Sequence, residues 1–99
     1  MGKAKILHLN LYRKWFVQIL KKKKKEEYRD KTNFWKRRLF NEDGSPREYE
    51  YIVFRNGYGK KGTSPEMKVE ILGVREDKDR YSILLGKVFD EKNCDDFKV

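Results

Sequence analysis

Residues 19–30 read Ile-Leu-Lys-Lys-Lys-Lys-Lys-Glu-Glu-Tyr-Arg-Asp and join two segments with different hydrophobic periods. Before the lysines, apolar residues recur at the spacing of a helix with one apolar face. This stripe consists of Tyr12, Trp15, Phe16, Ile19 and Leu20. After the lysines the period changes to that of a strand, so Lys25, Glu27 and Arg29 share one side. The sequence therefore predicts a helix over residues 12–22, followed directly by a strand, with polar chemistry concentrated at the corner between them.

Patterns on both sides of this corner predict the rest of the fold. Strands are expected over residues 6–11, 25–29, 48–55, 67–74 and 80–89. In the first strand, Leu7, Leu9 and Leu11 alternate with polar residues and should face inward. Thr32 has the chemistry of an N-cap for a short second helix that ends at Leu39. These elements predict an α+β domain in which a mostly antiparallel sheet curls into a small barrel, with one main N-terminal helix.

Composition favours one domain with a polyanionic partner. The 99 residues are expected to form a single domain, with a loosely held acidic tail from residue 90. Hydrophobic residues make up 37% of the chain and charged residues 41%, which indicates a modest core under a highly charged surface. The formal net charge of +9 favours nucleic acid first and an anionic membrane second. A basic protein without such a partner is the alternative.

The single cysteine and the hydropathy pattern bear on the cellular compartment in which the protein is expected. Cys94 alone excludes an intramolecular disulfide and an all-cysteine metal site, and it fits a reducing compartment. No apolar run approaches the roughly 20 residues that span a bilayer, and no signal-peptide core follows the N-terminus. A cytoplasmic location without membrane attachment is expected.

The charged corner resembles the ASCH family, a branch of the PUA-like superfamily. Members begin with a strand and a helix, and a lysine step then leads into a strand with a Glu-hydrophobic-Arg signature. Here Lys24 matches the lysine, residues 27–29 match the signature, and Lys22 stands where a glycine is usual. The resemblance covers roughly the first third of the chain. It implies a PUA-like barrel whose concave face, next to the helix, binds nucleotides or bases.

These observations predict a nucleic-acid-binding module, with RNA preferred because of the resemblance. The candidate binding residues are Lys23, Lys24, Glu27, Arg29, Tyr58, Lys60 and Lys61. Lys24 and Arg29 would hold phosphate or a base edge, and Glu27 would accept a hydrogen bond from a base. Basic residues 36–38 beside Trp35 suit stacking of unpaired bases if the ring is exposed. The alternative is an ordinary Glu27–Arg29 ion pair at the edge of the barrel, with solvated lysines and core aromatics.

The glycine loop carries a weaker prediction. Residues 57–62 fit Gly-x-Gly-x-x-Gly, but a strand pattern follows soon after them instead of the long helix that a dinucleotide fold needs. Two interpretations remain open. The backbone N–H groups could form an anion-binding concavity beside Lys60 and Lys61, or the glycines could serve positive φ in a hairpin loop.

A small hydrolase is the alternative function. Some ASCH-like proteins resemble acetylcytidine amidohydrolases, which use Lys-x-x-Thr at this place. Here Lys24 matches the lysine, but Glu27 stands where the threonine would be. A carboxylate is a poor substitute for a hydroxyl nucleophile, although Glu27 could act as a general base on water. A nuclease in the same cleft is a further possibility. His8 is the only histidine, so a histidine-cluster metal site and a Ser-His-Asp triad are excluded, and no metal or cofactor is expected.

Overall fold

The computed structural model describes residues 5–57 and 63–97. Its elements in chain order are β1 (Ile6–Leu11), α1 (Arg13–Leu20), β2 (Glu26–Asp30), α2 (Asn33–Leu39), β3 (Tyr51–Asn56), β4 (Glu66–Glu76), β5 (Arg80–Lys92) and a 3₁₀ turn (Asp95–Phe97). The predicted five strands, one main helix and short second helix are all present. The domain is α+β, as expected.

The strands form one sheet in the order β1-β3-β4-β5-β2, which curls into a half-barrel. The β1–β3 pair is parallel, whereas the other three pairs are antiparallel. Curling brings the two edge strands, β1 and β2, towards each other across an open seam. Arg29 bridges this seam, since its Nη2 donates to the carbonyl oxygen of Asn10 at 3.1 Å. The seam is where polar side chains from both ends of the sheet meet.

The core lies between α1 and the concave face of the sheet. The three leucines of β1 are buried, which confirms their predicted inward side, and Phe16 and Ile19 of α1 pack with them. The prediction that Trp15 joins the core is wrong, because 37% of its surface is exposed. The helical stripe spans a wider arc than the sheet covers, so its flank is left at the seam. Tyr12, which also belongs to the predicted stripe, lies just before α1 and is exposed.

Helix α1 ends at Leu20, two residues before the predicted end, in a Schellman motif. Lys23 N–H donates to the Gln18 carbonyl oxygen at 2.8 Å, and Lys22 N–H donates to that of Ile19 at 3.0 Å. The motif requires a left-handed residue, and Lys22 has φ 64°. Glycine adopts this conformation without the steric cost that a Cβ brings. The turn is therefore built with a lysine at the position where the resembling family has glycine.

We expect Lys22→Gly to raise the free energy of unfolding by about 0.5–1 kcal/mol, because relief of the left-handed strain exceeds the added entropy of the unfolded chain. Urea unfolding followed by circular dichroism measures this. Lys21→Gly is the matched control, since Lys21 has φ −86° and glycine there should lower stability. Equal losses in both variants would contradict the strain argument.

The C-terminal segment differs from the expected loose tail. β5 continues to Lys92, and Cys94 and Phe97 are both buried. The Phe97 ring meets the Phe16 ring edge-on at a centroid distance of 5.5 Å, and the Arg13 guanidinium lies 4.4 Å from its centroid. Phe97 therefore anchors the acidic segment to α1. Because Phe97 follows a run of polar residues, no hydrophobic pattern in the sequence predicts that it packs against α1.

Candidate functional site

A cleft of about 900 Å³ lies along the seam between β1 and β2. Its walls come from the end of β1, the start of α1, the turn after α1, β2, the end of β3 and the start of β5. The lining residues are Asn10, Leu11, Tyr12, Arg13, Trp15, Lys24, Glu27, Tyr28, Arg29, Asn56, Gly57 and Arg80. Most of them are basic, aromatic or amide side chains, so the cleft offers hydrogen-bond donors and ring faces together.

Glu27 is the buried anion of this cleft, with 6% of its surface exposed. Its Oε2 accepts from Arg29 Nη2 at 2.8 Å, and its Oε1 lies 3.7 Å from Lys24 Nζ. The N–H of Tyr28 also donates to Oε1 at 3.1 Å. The predicted trio of Lys24, Glu27 and Arg29 therefore meets in one cleft. Glu27 and Arg29 do form the ion pair of the alternative interpretation on the edge strand β2, and the Glu27 carboxylate of that pair is buried in the cleft.

Arg29 is engaged by protein groups on several sides. Besides Glu27 and the Asn10 carbonyl, its guanidinium lies 4.8 Å from the centroid of the half-buried Trp35 ring. The Nε atom is buried and has no hydrogen-bond partner in the described part of the chain. A guanidinium held in this way fixes the width of the seam. Gripping a ligand, the role predicted for Arg29, would require it to share or give up one of these contacts.

Cations and aromatic rings alternate along one wall of the cleft, and the series continues to Lys14, which lies outside the lining of the cleft. Lys14 Nζ lies 4.8 Å from the centroid of the Trp15 ring, and Lys24 Nζ lies 5.0 Å from the same centroid. Lys24 Nζ is also 4.6 Å from the Tyr28 centroid, and Arg80 Cζ is 3.6 Å from that centroid. We call the series Lys14, Trp15, Lys24, Tyr28 and Arg80 the cation–aromatic ladder. Within it, the Lys24 ammonium contacts both rings.

The turn between β4 and β5 holds Arg80 in place. Asp77 N–H donates to the Arg80 carbonyl oxygen at 2.9 Å, and the Asp77 carboxylate accepts from Arg75 Nε at 2.7 Å and from the Ser82 hydroxyl. The hydrogen bond from Arg75, followed by that from Ser82, lowers the pKa of Asp77 to about 2. The carboxylate therefore stays ionised from neutral to mildly acidic pH, and the brace beside Arg80 persists over that range.

The other predicted site residues do not join Lys24, Glu27 and Arg29 in the described part of the cleft. Lys23 is exposed and does not line the cleft, whereas Gly57 does line it and has φ 88°. Tyr58, Lys60 and Lys61 lie outside the described residues.

Sequence reasoning missed Trp15, Tyr28 and Arg80 as cleft residues. For Trp15 a signal existed, since it lies at the flank of the helical stripe next to lysine. Arg80 carried no signal, because its approach to Tyr28 follows from the pairing of β2 with β5, in which Asp30 faces Arg80 and Tyr28 faces Ser82. A diagonal neighbour of this kind depends on strand register.

Among residues 5–57 and 63–97, no group of three or more His, Cys, Asp or Glu side chains is placed to hold a metal ion. Within the same residues, no helix is long and apolar enough to cross a membrane. No family model, no curated protein and no solved structure matches this chain.

Proposed function

We propose that this chain is a nucleic-acid-binding module that holds a single strand, RNA in preference to DNA, in the cleft between α1 and the sheet. The cation–aromatic ladder is the observation that carries the proposal. Single-strand binders combine positive charge that follows the backbone with rings on which bases stack. Trp15 and Tyr28 supply two rings, and Lys14, Lys24 and Arg80 supply charge beside each of them.

In this mechanism a base takes the place of the Lys24 ammonium beside the two rings. Every base has a π-face, and stacking on an aromatic side chain is worth about 1–3 kcal/mol per base. The displaced ammonium then pairs with a phosphate, so it exchanges a cation–π contact for an ion pair. Glu27 stays beneath as the acceptor for a base amino or imino group. It also keeps part of the cleft's positive charge balanced when no ligand is bound.

We further propose that the domain is of the ASCH type within the PUA-like superfamily, which is the basis for preferring RNA. Two features support this. Lys24, Glu27 and Arg29 converge in one cleft next to the helix, and Lys22 adopts the left-handed conformation at the position of the usual glycine. The single cysteine, Cys94, is buried and is not in a disulfide, which fits the cytoplasmic location that we propose with it.

Hydrolysis in the same cleft has less support. Among the described lining residues there is no Ser, Thr, Cys or His to act as nucleophile or imidazole base. Both oxygens of Glu27 are already engaged by cations and a backbone N–H. Hydrolysis of an acetylated nucleoside, lost in Glu27→Gln, would establish the enzyme instead.

We expect Trp15→Ala to lower the affinity for a fluorescein-labelled oligouridine about tenfold or more, because one stacking ring is lost. Fluorescence anisotropy at low salt measures it, and the logarithm of the wild-type affinity should fall with the logarithm of salt by about 0.7 per phosphate contact. Phe89→Ala is the matched control, since Phe89 is an exposed ring that does not line the cleft. Absence of wild-type binding to RNA or DNA at low salt would end the proposal.

A further inference from the structure

Helix α2 presents cations that the sheet does not neutralise. Lys36, Arg37 and Arg38 are all exposed, and none of them takes part in an ion pair within the described part of the chain. Several basic residues in or beside the sheet are paired with carboxylates. Lys31 Nζ, for example, lies 2.9 Å from Glu76 Oε2. Unpaired cations close together repel one another, so a polyanion lowers their energy more than it lowers that of paired cations.

Two of these three cations line a shallow groove of about 530 Å³. Lys36 and Arg37 line it together with Arg47, whose Nε donates to the Arg37 carbonyl oxygen at 2.6 Å. Arg47 is thereby anchored at the last turn of α2. Glu42 is the one carboxylate among the described lining residues. Positive side chains therefore outnumber negative ones in the groove.

The same helix repeats the cation–aromatic arrangement of the cleft. The Arg38 guanidinium lies 3.5 Å from the centroid of Phe34, a ring that is 52% exposed. Phe34 in turn meets Trp35 edge-on at 5.0 Å, and Trp35 contacts Arg29 of the cleft at 4.8 Å. A continuous chain of contacts thus leads from the cleft to α2.

We propose that Phe34, Lys36, Arg37, Arg38 and Arg47, which we call the α2 surface, form a second binding site for the sugar-phosphate backbone of a single strand. The proposal rests on the proposed function. The strand has some of its nucleotides in the cleft, and its flanking phosphates contact the α2 surface. Exposed guanidinium groups without carboxylate partners bind phosphates and release counterions when they do so.

The test measures the affinities of two double variants for a short and a long RNA ligand. Each double variant loses two positive charges. Arg37→Gln with Arg38→Gln removes charge from the α2 surface, whereas Lys87→Gln with Lys92→Gln removes it from exposed positions on β5. The ligands are a uridine dinucleotide, which fits the cleft alone, and an oligouridine of about ten nucleotides. For the longer ligand the α2 variant should lose about tenfold in affinity and about 1.4 in the log–log salt slope. Its affinity for the dinucleotide should equal that of the wild type.

Three results would overturn the inference. Equal losses in both double variants would show that only net charge matters. An equal loss for the dinucleotide and the longer ligand would place the two arginines in the cleft. Failure of the wild type to bind either ligand would remove the proposed function and this inference together, whereas the first two results leave the cleft intact. Circular dichroism checks the fold of each variant. The single-site variant Lys36→Gln should show a smaller loss of affinity, and only for the longer ligand.

Discussion

Replacing Phe16 by alanine should lower the free energy of unfolding by about 3–5 kcal/mol, the cost of removing a large aromatic ring from a closed core. Phe16 is fully buried between α1 and the sheet and also contacts Phe97. A domain of this size is stable by only about 5–15 kcal/mol, so the variant should lose a large part of its stability. Urea unfolding monitored by circular dichroism measures the change.

The adjacent residue provides the control for this prediction. Trp15 has a larger side chain than Phe16 but is 37% exposed at the seam. Trp15→Ala should therefore cost clearly less stability than Phe16→Ala while it removes a ring from the cleft. Similar losses of stability in the two variants would mean that α1 buries Trp15 as well, and the cation–aromatic ladder would then lose its exposed ring.

We expect Glu27→Gln to lower the free energy of unfolding by about 2–3 kcal/mol. The substitution removes the negative charge that faces Arg29 and Lys24, whose side chains are only 20% and 13% exposed. Cations left without a counter-charge in a poorly hydrated site are costly, and Gln keeps only part of the hydrogen bonding. Added phosphate should stabilise this variant more than the wild type, because an anion can replace the missing carboxylate.

The neighbouring carboxylate tests whether burial is the cause. Glu26 pairs with Arg75 at 3.1 Å, but the side chains are 32% and 52% exposed. Such a pair contributes less than about 1 kcal/mol, so Glu26→Gln should change stability little. Comparable losses at the two positions would refute the argument that Glu27 is a buried counter-ion. The ligand preference of Glu27→Gln can then be measured under conditions in which circular dichroism shows the variant to be folded.

Much of the candidate site followed from local pattern. The period-two alternation put Glu27 and Arg29 on one side of β2, and they do meet there. Lys24 joins them because the turn after α1 is short. The alternation did not predict that Tyr28, from the opposite side of the strand, also lines the cleft. Both sides of an edge strand can reach an open seam, and whether β2 is an edge depends on the order of all five strands.

The sequence by itself determined the type of the five strands and two helices and the inward side of β1, because the repeat of a helix or a strand follows from backbone geometry alone. Only the tertiary structure decided that Phe16 is core and Trp15 is cleft, since that depends on how much of α1 the curled sheet covers. It also brought Arg80 onto Tyr28 through the β2–β5 register, and it used Phe97 to hold the C-terminal segment. Contacts between distant segments depend on strand order and register, which local hydrophobic patterns do not specify.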